Sequence, residues 1–102
     1  TLYDIRGYYQ RALENYEKSY KIQIEVYKNN PYHPYISMIL NNIGNVYKNK
    51  GDYDEALEYY QKSYEIKKKV YVNNNWHPEI AASLNNIGLI KNYKGDYDKA
   101  LE

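Results

Sequence analysis

The segment "SMILNNIGNVYKNKGDYDEALEYY" (37–60) decides the fold. At ~100° of rotation per residue, Ile39, Leu40, Ile43 and Tyr47 fall within about 60° of Ile36, which is the stripe of a one-sided helix. Pro34 suits the first turn of that helix, where its missing N–H would have no partner. Gly51 ends the helix, and Asp52 with Glu55 three residues on reads as the capping box of a second one. The second helix carries Tyr53, Ala56, Leu57, Tyr60, Tyr64 and Tyr71 along one side, with Tyr59, Ile66 and Val70 on a flanking one. Two apolar stripes require neighbours on two sides.

Those neighbours are copies of the same unit. "LNNIG" stands at 40–44 and again at 84–88, "HP" at His33 and His77, and "GDYD" at Gly51 and Gly95, each pair forty-four residues apart. The same register lays "RALENYEKSYKI" (11–22) on "EALEYYQKSYEI" (55–66) without a gap. The chain therefore divides into a first repeat lacking most of its first helix (1–30), a full second repeat (31–74) and a truncated third (75–102). "YKNNPYHP" (27–34) and "YVNNNWHP" (71–78) hold the turns between units. A helix pair of this kind cannot bury its own apolar face, so successive pairs must stack with one continuous core. The expected fold is an all-α superhelix, a solenoid of antiparallel helix hairpins. "TLYDIR" (1–6) is the remnant of a first helix and only seven residues follow Gly95, so both ends should expose stacking surface, as in a piece of a longer array.

Bulk composition narrows the partners. Fourteen Lys plus Arg against thirteen Asp plus Glu give a net charge of +1, too little field to draw phosphate backbones or acidic membranes, so neither nucleic acid nor membrane is expected. Cysteine is absent, which excludes thiolate metal sites and suits a reducing, cytoplasmic setting. Sixteen Tyr stand beside no Phe and one Trp.

These residues resemble the tetratricopeptide repeat. Counting from Ser37, the residues Leu40, Ile43, Gly44, Tyr47, Gly51, Tyr53, Ala56 and Tyr60 occupy that family's signature places, with Leu40 where many members have Trp. Leu84, Ile87, Gly88, Gly95, Tyr97 and Ala100 repeat them. The loop-borne "HP", the phrase "SLNNIG" (83–88) and the long unit look more like the kinesin light chain subclass. Two departures stand out: Lys91 replaces the aromatic at Tyr47, with Tyr93 two residues later, and Ser19 and Ser63 stand where the family prefers Ala. In such hairpins Gly44 and Gly88 would let the two helices cross closely, which offsets the roughly 1 kcal/mol that glycine costs in a helix.

Opposite the apolar stripe lie Met38, Asn41, Asn42, Asn45 and Asn49, matched in the third repeat by Ala82, Asn85, Asn86, Leu89 and Tyr93. In a stacked array these strips line one concave groove. An asparagine amide both donates and accepts, so a ladder of them can hold the backbone of an extended peptide, while Met38, Leu89 and Tyr93 supply pockets for its side chains. The resemblance implies a cargo-peptide role for Asn42 and Asn86. Either member of each pair, Asn41 with Asn42 and Asn85 with Asn86, serves the groove or a bond to a neighbouring helix, with the groove favoured for Asn42 and Asn86, and Asn45 and Asn49 serve either the groove or a solvated face.

Other motifs point away from chemistry. No second ligand lies at metal spacing beside His33 or His77, so a turn-stabilising role is expected for both, and no metal or cofactor. Asp52, Asp54, Glu55, Asp96 and Asp98 lack the EF-hand order and read as helix caps. "KKK" (67–69) sits near a helix C-terminus, where cations are favoured. Tyr32 and Trp76 occupy equivalent linker sites and are expected to pack on the preceding helix. No activated nucleophile is recognisable, so no enzyme is expected. The reading is a non-catalytic module that grips an extended peptide of a protein partner with weak to moderate affinity. A clamp for acidic peptide tails is disfavoured, because the groove places hold Met38, Ala82 and Asn instead of Lys or Arg. Its rivals are a spacer or solenoid that self-associates through its exposed ends, and a sensing segment of a protein whose chemistry lies elsewhere.

Overall fold

A histidine, not an acidic residue, starts the helix that begins at Pro34. In the computed structural model, described for residues 2–74 and 76–101, His33 is the N-cap of α2 (Pro34–Lys50), with φ −64° and ψ 138°. Its Nδ1 accepts from the Tyr35 N–H at 3.1 Å while its ring stacks on Tyr27 with centroids 3.7 Å apart. One repeat later the arrangement recurs: His77 Nδ1 accepts from the Glu79 N–H at 3.1 Å and its ring lies 3.7 Å from that of Tyr71, at the start of α4 (Pro78–Leu101). Each histidine thus satisfies a donor that a helix start leaves without an intrahelical partner.

Gly51 closes α2 in the left-handed region, φ 86° and ψ 7°. Its N–H donates to the Lys48 carbonyl at 3.0 Å and the Asp52 N–H to the Tyr47 carbonyl at 2.9 Å, which turns the chain into α3 (Tyr53–Val70). The expected capping box does not form. Asp52 makes no side-chain cap bond, because at φ −85° and ψ 76° it lies outside the extended geometry that aims a cap side chain at the helix; its Oδ2 lies 3.3 Å from Lys50 Nζ instead.

The same glycine reads differently at the two ends. Gly95, in register with Gly51, lies inside α4, and residues 2–6 of "TLYDIR" belong to the single helix α1 (Leu2–Val26), which runs straight through Gly7, while Thr1 lies outside the described residues. Neither "GDYD" (95–98) nor "TLYDIR" makes the expected break. The helix keeps its backbone bonds through Gly95 at a glycine cost of about 1 kcal/mol. Asp96 and Asp98 are accordingly helix residues and not caps.

The helices pack in chain order, α1 on α2, α2 on α3 and α3 on α4. α2 has neighbours on both sides and buries Ile36, Ile39, Ile43 and Val46 together with Ser37, Leu40 and Gly44. Among the described residues α4 buries the counterparts of the first set, Ile80, Ser83, Ile87 and Ile90. Ile87 and Ile90 join Ala56 and Tyr60 of α3 in one apolar cluster. At the α2–α3 crossing, a Cβ on Gly44 would lie 2.8 Å from Tyr60 Cδ1 and Cε1, so the absent side chain is what admits the ring. Beside it Ser63 Oγ donates to the Ser37 carbonyl at 2.9 Å, and the two hydroxyls are 2.9 Å apart. These serines, buried, clamp the hairpin from both helices of the crossing. Gly88 departs from expectation: nothing lies within 4 Å of the Cβ it lacks, because none of the described helices folds back on that side of α4.

Candidate functional site

The exposed strip of α2 is what its two neighbours leave uncovered. Met38 is 50% exposed, Asn49 is exposed, and Asn41, Asn42 and Asn45 are half-buried. On α4, Asn86 is half-buried while Asn85, Leu89 and Tyr93 are exposed. The strips meet through one bond, Asn86 Nδ2 donating to Asn41 Oδ1 at 3.3 Å, where α4, packed on α3, comes near α2. That bond leaves the Asn41 Nδ2 and the Asn86 Oδ1, a donor and an acceptor, along the seam.

Three of the strip residues also have structural work. Asn45 Oδ1 accepts the Tyr60 hydroxyl, whose pKa burial raises to about 12, so this phenol remains a neutral donor. The backbone carbonyl of Asn49 accepts the Tyr9 hydroxyl at 3.2 Å, tying α1 to the end of α2. Tyr93 sets its ring against Tyr53 with centroids 5.7 Å apart, and nearby Lys94 Nζ lies 2.6 Å from Asp54 Oδ1. Tyr93 thereby occupies the position where Asn49 meets Tyr9 one repeat earlier.

Next to the seam is a depression of about 370 Å³. Its walls include Met38 and Asn41 of α2, Val70 and Tyr71 at the end of α3, and Tyr35 and Glu79 at the starts of α2 and α4. The Tyr71 hydroxyl donates to Glu79 Oε2, and that bond, first among its causes, raises the Tyr71 pKa. The volume is that of a small ligand pocket, sized for a side chain or two. Tyr35 and Tyr71 were not singled out in the sequence for this role; the exposed aromatic at a helix start was the only signal for Tyr35. Lys67 reaches the same depression, whereas Lys68 Nζ lies 4.7 Å from the Tyr64 ring centroid and Lys69 Nζ 6.0 Å from that of Tyr32.

Trp76 overturns its expectation. At 94% exposed it packs on no preceding helix. Among the described residues, no group of three or more His, Cys, Asp or Glu could hold a metal ion, and no helix is long and apolar enough to cross a membrane.

The sequence pattern of the tetratricopeptide repeat matches residues 2–69 and again 35–102. The chain belongs to the tetratricopeptide repeat family. Tetratricopeptide repeats are generally protein–protein interaction modules and typically non-catalytic. The four helices of this repeat protein, packed in sequence as hairpins, have the all-α architecture of the family. No curated protein matches the chain.

Proposed function

We propose that this tetratricopeptide array is a non-catalytic recognition module that holds an extended peptide of a protein partner along the α2–α4 seam, in a cytoplasmic setting. The observation that carries the reading is the adjacency of two unlike surfaces. The Asn41–Asn86 amide pair, which can address any peptide backbone, lies beside the depression under Met38, which can select a side chain. Asn42 and Asn85 extend the amide strip, with the remaining Nδ2 of Asn45 and the side chain of Asn49 farther along it. Leu89 and Tyr93 offer apolar contact at the α4 end. The likeness to kinesin light chain-type repeats supports assigning the backbone contact to Asn42 and Asn86. The histidines support a non-catalytic role, since each has its Nδ1 engaged by a backbone N–H and its ring by a tyrosine.

The test is selection from a peptide library followed by titration of the best binder into the wild type and an Asn42→Ala/Asn86→Ala double variant. Two lost hydrogen bonds of about 0.5–1.5 kcal/mol each should weaken binding roughly five- to a hundred-fold. Equal affinity for both proteins would remove the groove assignment.

A further inference from the structure

At the junction of the first two repeats, α1 and α3 leave a crevice of about 310 Å³ between them, with Ile36 of α2 and Pro31 of the linker on its floor. Ile24 of α1 and Ile66 of α3 form its apolar walls. Ile24 breaks the repeat: forty-four residues on stands Lys68, whose Nζ lies 3.1 Å from Glu65 Oε1. Ile24 is thus an apolar residue, 43% exposed, at a place where the next repeat keeps a charge. An apolar body in the crevice would cover it together with the half-buried Ile66. Charge gathers at the linker end. Lys28 lines the crevice, its Nζ 3.3 Å from Glu25 Oε1. Lys69 of α3 brings its Nζ to 6.0 Å from the ring centroid of Tyr32, next to Pro31, and pairs with no carboxylate among the described residues. Two ammonium groups therefore stand there for one carboxylate. The phenol hydroxyls of Tyr20 and Tyr27, which also line the crevice, are engaged by no hydrogen bond among the described residues.

We propose that this crevice binds a small amphiphile of the alkyl carboxylate class, with an apolar body and one anionic head. The body lies over Ile24, Ile36 and Ile66. The head accepts from Lys28 Nζ, which gives up its exposed pair with Glu25 at little cost, and it sits in the field of Lys69. The volume is at the lower end of the range for small-molecule sites, about 300–1,000 Å³, and apolar walls with a few polar groups at one end are what orient a ligand there. The site does not depend on the peptide reading. Ile36 on its floor and Met38 beside the seam lie ~200° apart around α2, so the two ligands would occupy opposite sides of that helix.

Octanoate titrated into the full chain, followed by NMR of the isoleucine methyls, tests it. The methyls of Ile24, Ile36 and Ile66 are expected to shift together and saturate, while those of Ile80 and Ile90 on α4 stay in place. Hexanoate, two methylenes shorter at about 0.8 kcal/mol each, should bind up to roughly fifteen-fold more weakly. Octan-1-ol, which keeps the body and lacks the charge, should bind several-fold more weakly than octanoate. Ile24→Lys, which installs the residue of the second repeat, and Ile24→Trp, which fills the crevice, should each abolish binding. Lys28→Gln with Lys69→Gln should bring octanoate down to the affinity of octan-1-ol, and unchanged far-UV circular dichroism shows which variants are folded. The absence of a saturable shift with octanoate would overturn the proposal. So would octan-1-ol binding as tightly as octanoate, binding that survives a folded Ile24 variant, or shifts centred on Met38 and the seam amides.

Discussion

Gly44 and Gly88 occupy the same place in "LNNIG", yet replacing each by alanine should move stability in opposite directions. At Gly44 the new methyl would stand 2.8 Å from two ring carbons of Tyr60 and 3.4 Å from the Ala56 carbonyl oxygen. Tyr60 is 1% exposed and held in the cluster with Ala56, Ile87 and Ile90, so the ring has little room to withdraw. Overpacking of that kind costs about 1–3 kcal/mol, against which the better helix propensity of alanine returns about 0.5–1 kcal/mol. The net loss runs up to about 2.5 kcal/mol, and with the ring held on all sides its upper half, about 1–2 kcal/mol, is expected. At Gly88 the methyl meets nothing within 4 Å, leaving only the gain of about 0.5–1 kcal/mol. A change of 1 kcal/mol moves the Tm of a domain this size by about 4–8 °C, so the two variants should melt roughly 10 °C apart, on either side of the wild type. Thermal unfolding followed by far-UV circular dichroism at one low micromolar concentration reads the difference. A Gly44→Ala variant as stable as Gly88→Ala would refute the close α2–α3 crossing.

Three further outcomes are expected. Gly51→Ala should cost about 1–2 kcal/mol because it forces an L side chain to φ 86°, while Gly95→Ala, inside a helix and in open space, should stabilise by up to about 1 kcal/mol; urea denaturation of the pair checks both signs. Ser83 Oγ is buried with no hydrogen-bond partner among the described residues, so Ser83→Ala should raise the urea midpoint, by about 1 kcal/mol of stability, at an unchanged slope. Below pH 10 the Tyr60 phenol keeps its proton folded or unfolded, but above it the unfolded chain ionises first. Stability worth about 2–3 kcal/mol should therefore disappear as pH rises from 10 through about 12, and Tyr60→Phe, though about 1 kcal/mol weaker at neutral pH for want of the Asn45 bond, should lack that share of the alkaline loss.

What the sequence discloses and what it withholds divide along the range of the interactions. The forty-four-residue register, the stripe from Ile36 to Tyr47 and the turn at Gly51 depend on local periodicity and glycine geometry, and the family match and the four helices agree with them. Gly88, Gly95 and Trp76 carry the same letters, or the same kind of side chain, as Gly44, Gly51 and Tyr32. Their surroundings depend on whether a further helix lies across α4, which no local pattern records. Asp52 failed as a cap because the tight turn at Gly51 sets its backbone, a constraint two residues wide that composition does not reveal. The Ser37–Ser63 clamp joins residues twenty-six apart and looked in the sequence like a mild departure at one position. For the candidate site, the amide strip could be read from helical spacing, but the depression beside it gathers Tyr35, Val70, Tyr71 and Glu79 from three helix ends. Only packing brings them together.

The central claim is that a guest peptide lies along the amide seam between α2 and α4, and nitrogen-edited NMR of the asparagine side-chain amides tests it most directly. On addition of a selected peptide, the Nδ2 resonances of Asn41, Asn42, Asn85 and Asn86 should shift together with the Met38 methyl, while those of Asn15 on α1 stay in place. Shifts confined to α1 and the outer face of α3, with the seam amides unmoved, would contradict it.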